Sequence, residues 1–233
     1  MHNVWDLPRR IFHWLNVFFV FTLIALGLLM MNKSALGITG TEAKVGLKTL
    51  HVLIGYGFCI NLLLRISWGL IGPKHPKLSL KRTSLSELSN YQTRISKGHK
   101  PQYLGHTPLG RVSVMLMFIL LGVIMITGLV RAGTDIYYPP FGSTVQAFIA
   151  EHGELPSKIK PYNDTYVDPS AKLQLGPFKS LMGNVHRYSV YLLMFILIMH
   201  IWAVVKTEVT LHPGLISAMV SGKKIIEGKA EDE

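Results

Sequence analysis

Four of the ten histidines in this 233-residue chain, His13, His51, His186 and His200, stand inside long apolar runs. An ionisable ring at membrane depth is costly and marks a functional site. One such ring alone is equally well explained by a hydrogen bond to a neighbouring helix. Four together ask for a shared chemistry, and their spacing indicates which. His186 and His200 are 14 residues apart; at about 100° and 1.5 Å per residue they return to within roughly 40° of one helical face, about 21 Å apart along the axis. One helix therefore offers two inward imidazoles at two depths. Imidazole nitrogen is a ready metal ligand, so the pattern points to two metal centres held from facing helices. The other six, His2, His75, His99, His106, His152 and His212, fall in loops and tails and read as solvated.

The elements that must position these rings are membrane spans. Hydrophobic residues make up 49% of the chain and charged residues 16%, against roughly 25% charged in soluble domains; mean hydropathy is +0.33. The apolar surplus collects in four runs, near 11–31, 49–71, 112–130 and 185–205, each long enough to cross a hydrocarbon core of roughly 30 Å. The expected fold is all-α: one polytopic membrane domain over 1–233, built as a four-helix bundle. The first run is too long for a signal peptide, and no small-residue cleavage site follows it. The four runs contain no Asp or Glu, which argues against a transporter or channel lined by acids. Cys59, the single cysteine, can build neither a disulfide nor a thiolate metal site.

The net charge of +11 is explained by its location. The stretch 74–111 carries Lys74, Lys77, Lys81, Arg82, Arg94, Lys97, Lys100 and Arg111 against Glu87 alone. A basic loop between two apolar spans reports membrane orientation rather than nucleic acid. It places that loop and both termini in the cytoplasm, leaving 32–48 and 131–184 outside. The outer loop 131–184 is too long for a bare connector. Within it, Tyr137–Gly142 reads as an interfacial aromatic turn, and Ser143–His152 as a short amphipathic helix with Val145, Phe148 and Ile149 on one face. After a break at Pro213, Leu215–Val220 reads as a second short helix on the cytoplasmic surface.

Depth then pairs the ligands. His13 opens the first span and His200 lies toward the same, cytoplasmic, end of the fourth; His51 and His186 lie toward the outside. Zinc would want clustered ligands such as His-Glu-x-x-His with a third group nearby, and the chain has no such cluster. Two imidazole pairs at two depths suit two b-type haems, one near each face. An iron with both axial positions filled moves electrons rather than activating oxygen. The 14-residue step recurs on the other helices. His13 + 14 is Gly27, whose missing side chain would let a macrocycle lie against the first span. His51 + 14 is Arg65, which would face the cytoplasmic haem as partner for a propionate; snorkelling to the headgroups is its alternative.

Several segments together resemble the superfamily of bacterial di-haem cytochrome b561 and the cytochrome b subunits of nickel–iron hydrogenases. They are Arg9-Arg10-Ile11-Phe12-His13-Trp14, Leu47–Tyr56 around His51, Arg65-Ile66-Ser67-Trp68-Gly69, Gly105-His106-Thr107-Pro108-Leu109-Gly110, Thr127-Gly128, His186 with His200, and Ser217–Lys224. The resemblance covers nearly the whole chain. It implies a four-helix bundle with two haem b groups linked to the quinone pool, with ligands at His13, His51, His186 and His200. The long loop with Tyr137–Gly142 departs from the shortest family members, which suggests an external partner or a lid over the outer haem.

The leading expectation is an electron carrier in the bacterial inner membrane, connecting a periplasmic redox protein such as a c-type cytochrome with quinone. A second is the membrane anchor of a nickel–iron hydrogenase, bound to that enzyme's small, iron–sulfur subunit. A third is a self-contained enzyme that oxidises superoxide and reduces quinone; it would want a positive patch outside, where the long loop reads near neutral. His106 and His212 are candidates for the quinone site.

Overall fold

The computed structural model describes residues 1–72, 83–99, 101–211, 214–226 and 230–232. His75, His212, Pro213 and the loop cations Lys74, Lys77, Lys81, Arg82 and Lys100 lie outside the described residues. The elements run β1 (His2–Asn3), α1 (Leu7–Met31), α2 (Thr41–Ile71), α3 (Leu85–Ser96), α4 (Pro108–Ile136), α5 (Gly142–Ile149), α6 (Pro169–Leu211), α7 (Leu215–Ser221) and β2 (Lys223–Lys224). Four of them, α1, α2, α4 and α6, are long and apolar enough to cross a membrane, which bears out the all-α polytopic fold.

Each long helix begins earlier than its apolar run, and at α1, α4 and α6 capping chemistry rather than hydropathy sets the start. Asp6 accepts from the Arg9 N–H at 3.1 Å, with Pro8 in the first turn of α1, and Thr107 Oγ1 accepts from the Gly110 N–H at 3.1 Å ahead of Pro108. Asp168 accepts from the Ser170 N–H at 2.7 Å ahead of Pro169. An oxygen-bearing cap followed by proline is a strong helix start. At Asp168 it places the start of α6 at Pro169, so the connection after α4 is 137–168, shorter than the loop 131–184 read from the sequence. Within it, α5 matches the expected short helix. Ile149, Ile159 and Val167 form a small core with Tyr137, Val145 and Leu175 packed against it. Phe148, on the same apolar face as Val145 and Ile149, does not join this core and is 52% exposed.

Helix α3 was hidden inside the basic loop; an N-cap starts it, Ser84 Oγ accepting from the Glu87 N–H at 3.1 Å, while the Glu87 carboxylate pairs with Arg111. Gly98, at φ +81°, ends it in the left-handed conformation that glycine takes most readily.

The chain forms two compact units. One comprises Met1–Val17, Ile60–Ile119 and Leu193–Glu233; the other comprises Phe18–Cys59 and Leu120–Leu192. In the first, β1 and β2 pair antiparallel, His2 opposite Lys224, which sets the two ends of the chain side by side. Trp14 Nε1 donates to the Met219 carbonyl at 2.9 Å and fastens α7 to α1. Asp6 Oδ2 accepts from Trp68 Nε1 at 2.8 Å, and the buried Asn61 amide donates to Asn16 Oδ1 at 2.7 Å and to the Phe12 carbonyl. These bonds join α1 to α2 where apolar packing alone would leave rotation free.

Candidate functional site

Helix α2 carries His51 and α6 carries His186, and their ring centres stand 6.5 Å apart, edge to face. A metal bonded to two imidazoles at about 2 Å on each side holds their ring centres roughly 6 to 6.5 Å apart. The His186 ring is oriented by α4. Thr127, 4% exposed, donates its hydroxyl proton to the Val123 carbonyl at 2.7 Å. Its oxygen is thereby left to accept from His186 Nδ1, 3.0 Å away. That exchange fixes the proton on Nδ1 and leaves Nε2 bare, the form a metal needs. Gly128 completes the seat: a Cβ there would press to 3.3 Å on His186 Cε1. Thr127 and Gly128 carry the resemblance in the sequence, but only the inter-helix bond shows what they do.

His13 on α1 and His200 on α6 belong to the other unit, close enough for their charges to interact. His13 Nδ1 and His51 Nδ1 are buried without a protein partner. A buried ring nitrogen without a partner is costly, and both of these orphans stand on rings that share a unit with a second span histidine. The donor set therefore fits a group that brings most of its own ligands and asks the protein for two: among the described residues no three His, Cys, Asp or Glu side chains cluster as a metal site.

Arg65 is buried, 9% exposed. Its Nη1 has no partner, and its guanidinium lies 5.5 Å from the Phe118 ring centre. Arg9, also buried, stacks over Trp5 at 4.6 Å. Among the described residues, Asp6 is an acid whose charge acts on both guanidiniums. Gly27 lies in the unit of His51 and His186, and a Cβ there would meet nothing within 4 Å.

His106 keeps its place in a loop but is half-buried rather than freely solvated. It packs against Trp5 at 5.1 Å, and burial, reinforced by the charges of Arg9, Lys224, Arg65 and Arg111, lowers its pKa to about 4. It is neutral at pH 7 because desolvation and four nearby cations both oppose a further positive charge.

The family model described as prokaryotic cytochrome b561 matches residues 4–222. Among curated relatives, a probable Ni/Fe-hydrogenase B-type cytochrome subunit of Rhizobium leguminosarum bv. viciae is 22% identical, covering 98% of this chain and 90% of the relative. Its counterpart from Cupriavidus necator is 22% identical over 94% of this chain and 85% of the relative. A probable Ni/Fe-hydrogenase 1 B-type cytochrome subunit of Escherichia coli strain K12 is 21% identical, covering 95% and 89%. No solved structure matches the chain. With four membrane-crossing helices and a family match over nearly its whole length, the chain belongs to the prokaryotic cytochrome b561 family, multi-pass membrane proteins of electron transport that bind b-type haem.

Proposed function

We propose that the whole chain works as one di-haem domain, carrying electrons across the bacterial cytoplasmic membrane between a periplasmic redox partner and the quinone pool. The observation that carries this reading is the distribution of the four rings: His51 with His186 in one unit, His13 with His200 in the other. A haem held at each pair would supply a reversible one-electron centre, with His51 and His186 holding one and His13 and His200 the other.

The chain's own residues prepare these positions. Thr127 holds the His186 ring in one tautomer and one direction, so that it is ready as a ligand without reorganisation. Arg65 offers a buried guanidinium to a propionate at the His13–His200 pair. Gly27 leaves the face of α1 open beside the other pair. The inward orientation of both termini is supported by β1–β2, which keeps the ends together. It is supported also by the cations Arg9, Arg10, Arg94, Arg111, Lys223 and Lys224 in that same unit, because cytoplasmic loops collect Lys and Arg.

The relatives' names favour a nickel–iron hydrogenase over a c-type cytochrome as the periplasmic partner. The loop 137–168, with its own core around Ile149, Ile159 and Val167, offers a preformed surface for docking. Pyridine haemochrome assay of the purified protein should give two haem b per chain; a ratio near zero or one overturns the two-haem reading. In native membranes, hydrogen gas should reduce these haems, and a hydrogenase small subunit should co-purify in mild detergent. Co-purification of a c-type cytochrome without any hydrogen response would overturn the hydrogenase assignment.

A further inference from the structure

In the unit that holds His51 and His186, three cations meet one carboxylate. Asp135, with its side chain 8% exposed, accepts from Lys48 Nζ at 3.1 Å, Arg131 Nη2 at 2.5 Å and Lys179 Nζ at 3.0 Å. Among the described residues none of the three cations pairs with another acid. The cluster therefore carries two positive charges in excess, brought together by α2, α4 and α6. Like charges gathered this closely repel one another, and one carboxylate does not offset three of them. A network meant only to tie helix ends together needs a single cation on the acid. Donors also outnumber acceptors: each ammonium has three N–H groups and the guanidinium five, against two carboxylate oxygens and the Thr134 carbonyl that Lys179 also reaches at 3.0 Å.

Placement says what the surplus is for. Lys48 stands one helical turn before His51 on α2, and Arg131 one turn beyond Thr127, which bonds His186. The Arg131 guanidinium lies against Gly183, where a Cβ would come within 3.2 Å of Cζ. Gly183 is itself one turn before His186, and Lys179 is one turn further back. The three cations thus gather roughly 5 to 10 Å along the helices from the imidazole pair, on the faces that carry it. That is the distance at which the edge of a macrocycle held between the rings would present its two carboxylates.

We propose that Lys48, Arg131 and Lys179 form the binding site for the two propionates of the haem at the His51–His186 pair, with Asp135 holding the three cations together. The proposal rests on the two-haem reading above. Two carboxylates match the excess of two charges, and a guanidinium binds a carboxylate in bidentate fashion. Asp135 keeps the long side chains from dispersing into solvent when no haem is present.

The test uses the intact holoprotein with haem carrying 13C at the propionate carboxyls. Redox-difference infrared spectra and midpoint titrations are compared for wild type, Lys48→Gln, Arg131→Gln and Lys179→Gln. Each substitution should shift labelled carboxylate bands and lower the midpoint of the haem at His51–His186, leaving the other haem's bands and midpoint in place. Loss of that haem alone, restored by Arg131→Lys, also supports the site; loss that Arg131→Lys does not restore counts against it. If wild type holds two haems and the labelled bands stay fixed in all three variants, the proposal is wrong while the two-haem reading stands. If wild type itself lacks two haems, the earlier reading is what has failed.

Discussion

Replacing Thr127 with Val removes one hydroxyl from a nearly isosteric side chain and should raise the midpoint of the haem at the His51–His186 pair. The sign follows from the hydrogen bond. Ferric iron draws more density from its axial imidazole than ferrous iron does, so the Nδ1–H of His186 is more acidic in the oxidised state. The 3.0 Å bond to Thr127 is then stronger on the ferric side and lowers the midpoint; removing it raises the midpoint. A neutral hydrogen bond contributes about 0.5 to 1.5 kcal/mol, and about 1.4 kcal/mol corresponds to roughly 59 mV for one electron. The Ile124 carbonyl also engages the His186 ring and remains in the variant, so the shift should be on the order of 10 to 40 mV. Loss of such an orienting bond typically weakens metal-group affinity about 10- to 100-fold, so the variant should also release this haem sooner in detergent. Potentiometric titration followed by the haem absorption bands reads both haems in one experiment, and Thr127→Ser should restore the wild-type value. The reasoning is refuted if Thr127→Val leaves that midpoint and the haem retention unchanged, or if the other haem responds instead.

His13→Ala and His200→Ala should each abolish the same redox component, and His51→Ala and His186→Ala the other; loss of one component in both His13→Ala and His51→Ala would break the pairing. Arg65→Leu should lower the midpoint of the His13–His200 haem modestly, by tens of mV at about 59 mV per tenfold, because a nearby cation disfavours ferric iron. Protonation of the released propionate opposes that fall, and Arg65→Lys should recover part of it; unchanged midpoints and occupancies would return Arg65 to a packing role. His106 has a native pKa of about 4 against about 6.5 for the unfolded chain. Its contribution to stability is present above pH 6.5 and is lost as pH falls toward 4, by on the order of 3 kcal/mol. Thermal unfolding in detergent between pH 7 and 4 should show that slope, flattened in His106→Gln; an identical slope in the variant would assign the dependence to other groups.

What the sequence determined by itself rests on rigid local geometry. A helix advances by a fixed angle and rise, so a 14-residue interval places His186 and His200 on one face at two depths whatever surrounds them. Long apolar runs with so few charges can be satisfied only as membrane spans, because backbone polar groups have no other partners in lipid. The start of α6 was also legible, since Asp168-Pro169 is a cap followed by a proline. It was missed because hydropathy marks the apolar window of a helix and not its end. Tertiary structure alone decided the rest. Nothing in the types of Lys48, Asp135 and Lys179 says that three elements would bring them to one carboxylate. Neither Thr127 nor His106 shows in sequence which ring or which cations it will face. His2 and Lys224 pair across more than two hundred residues. These contacts depend on how neighbouring helices rotate about their axes and pack, and the order of residues along one helix does not contain that rotation.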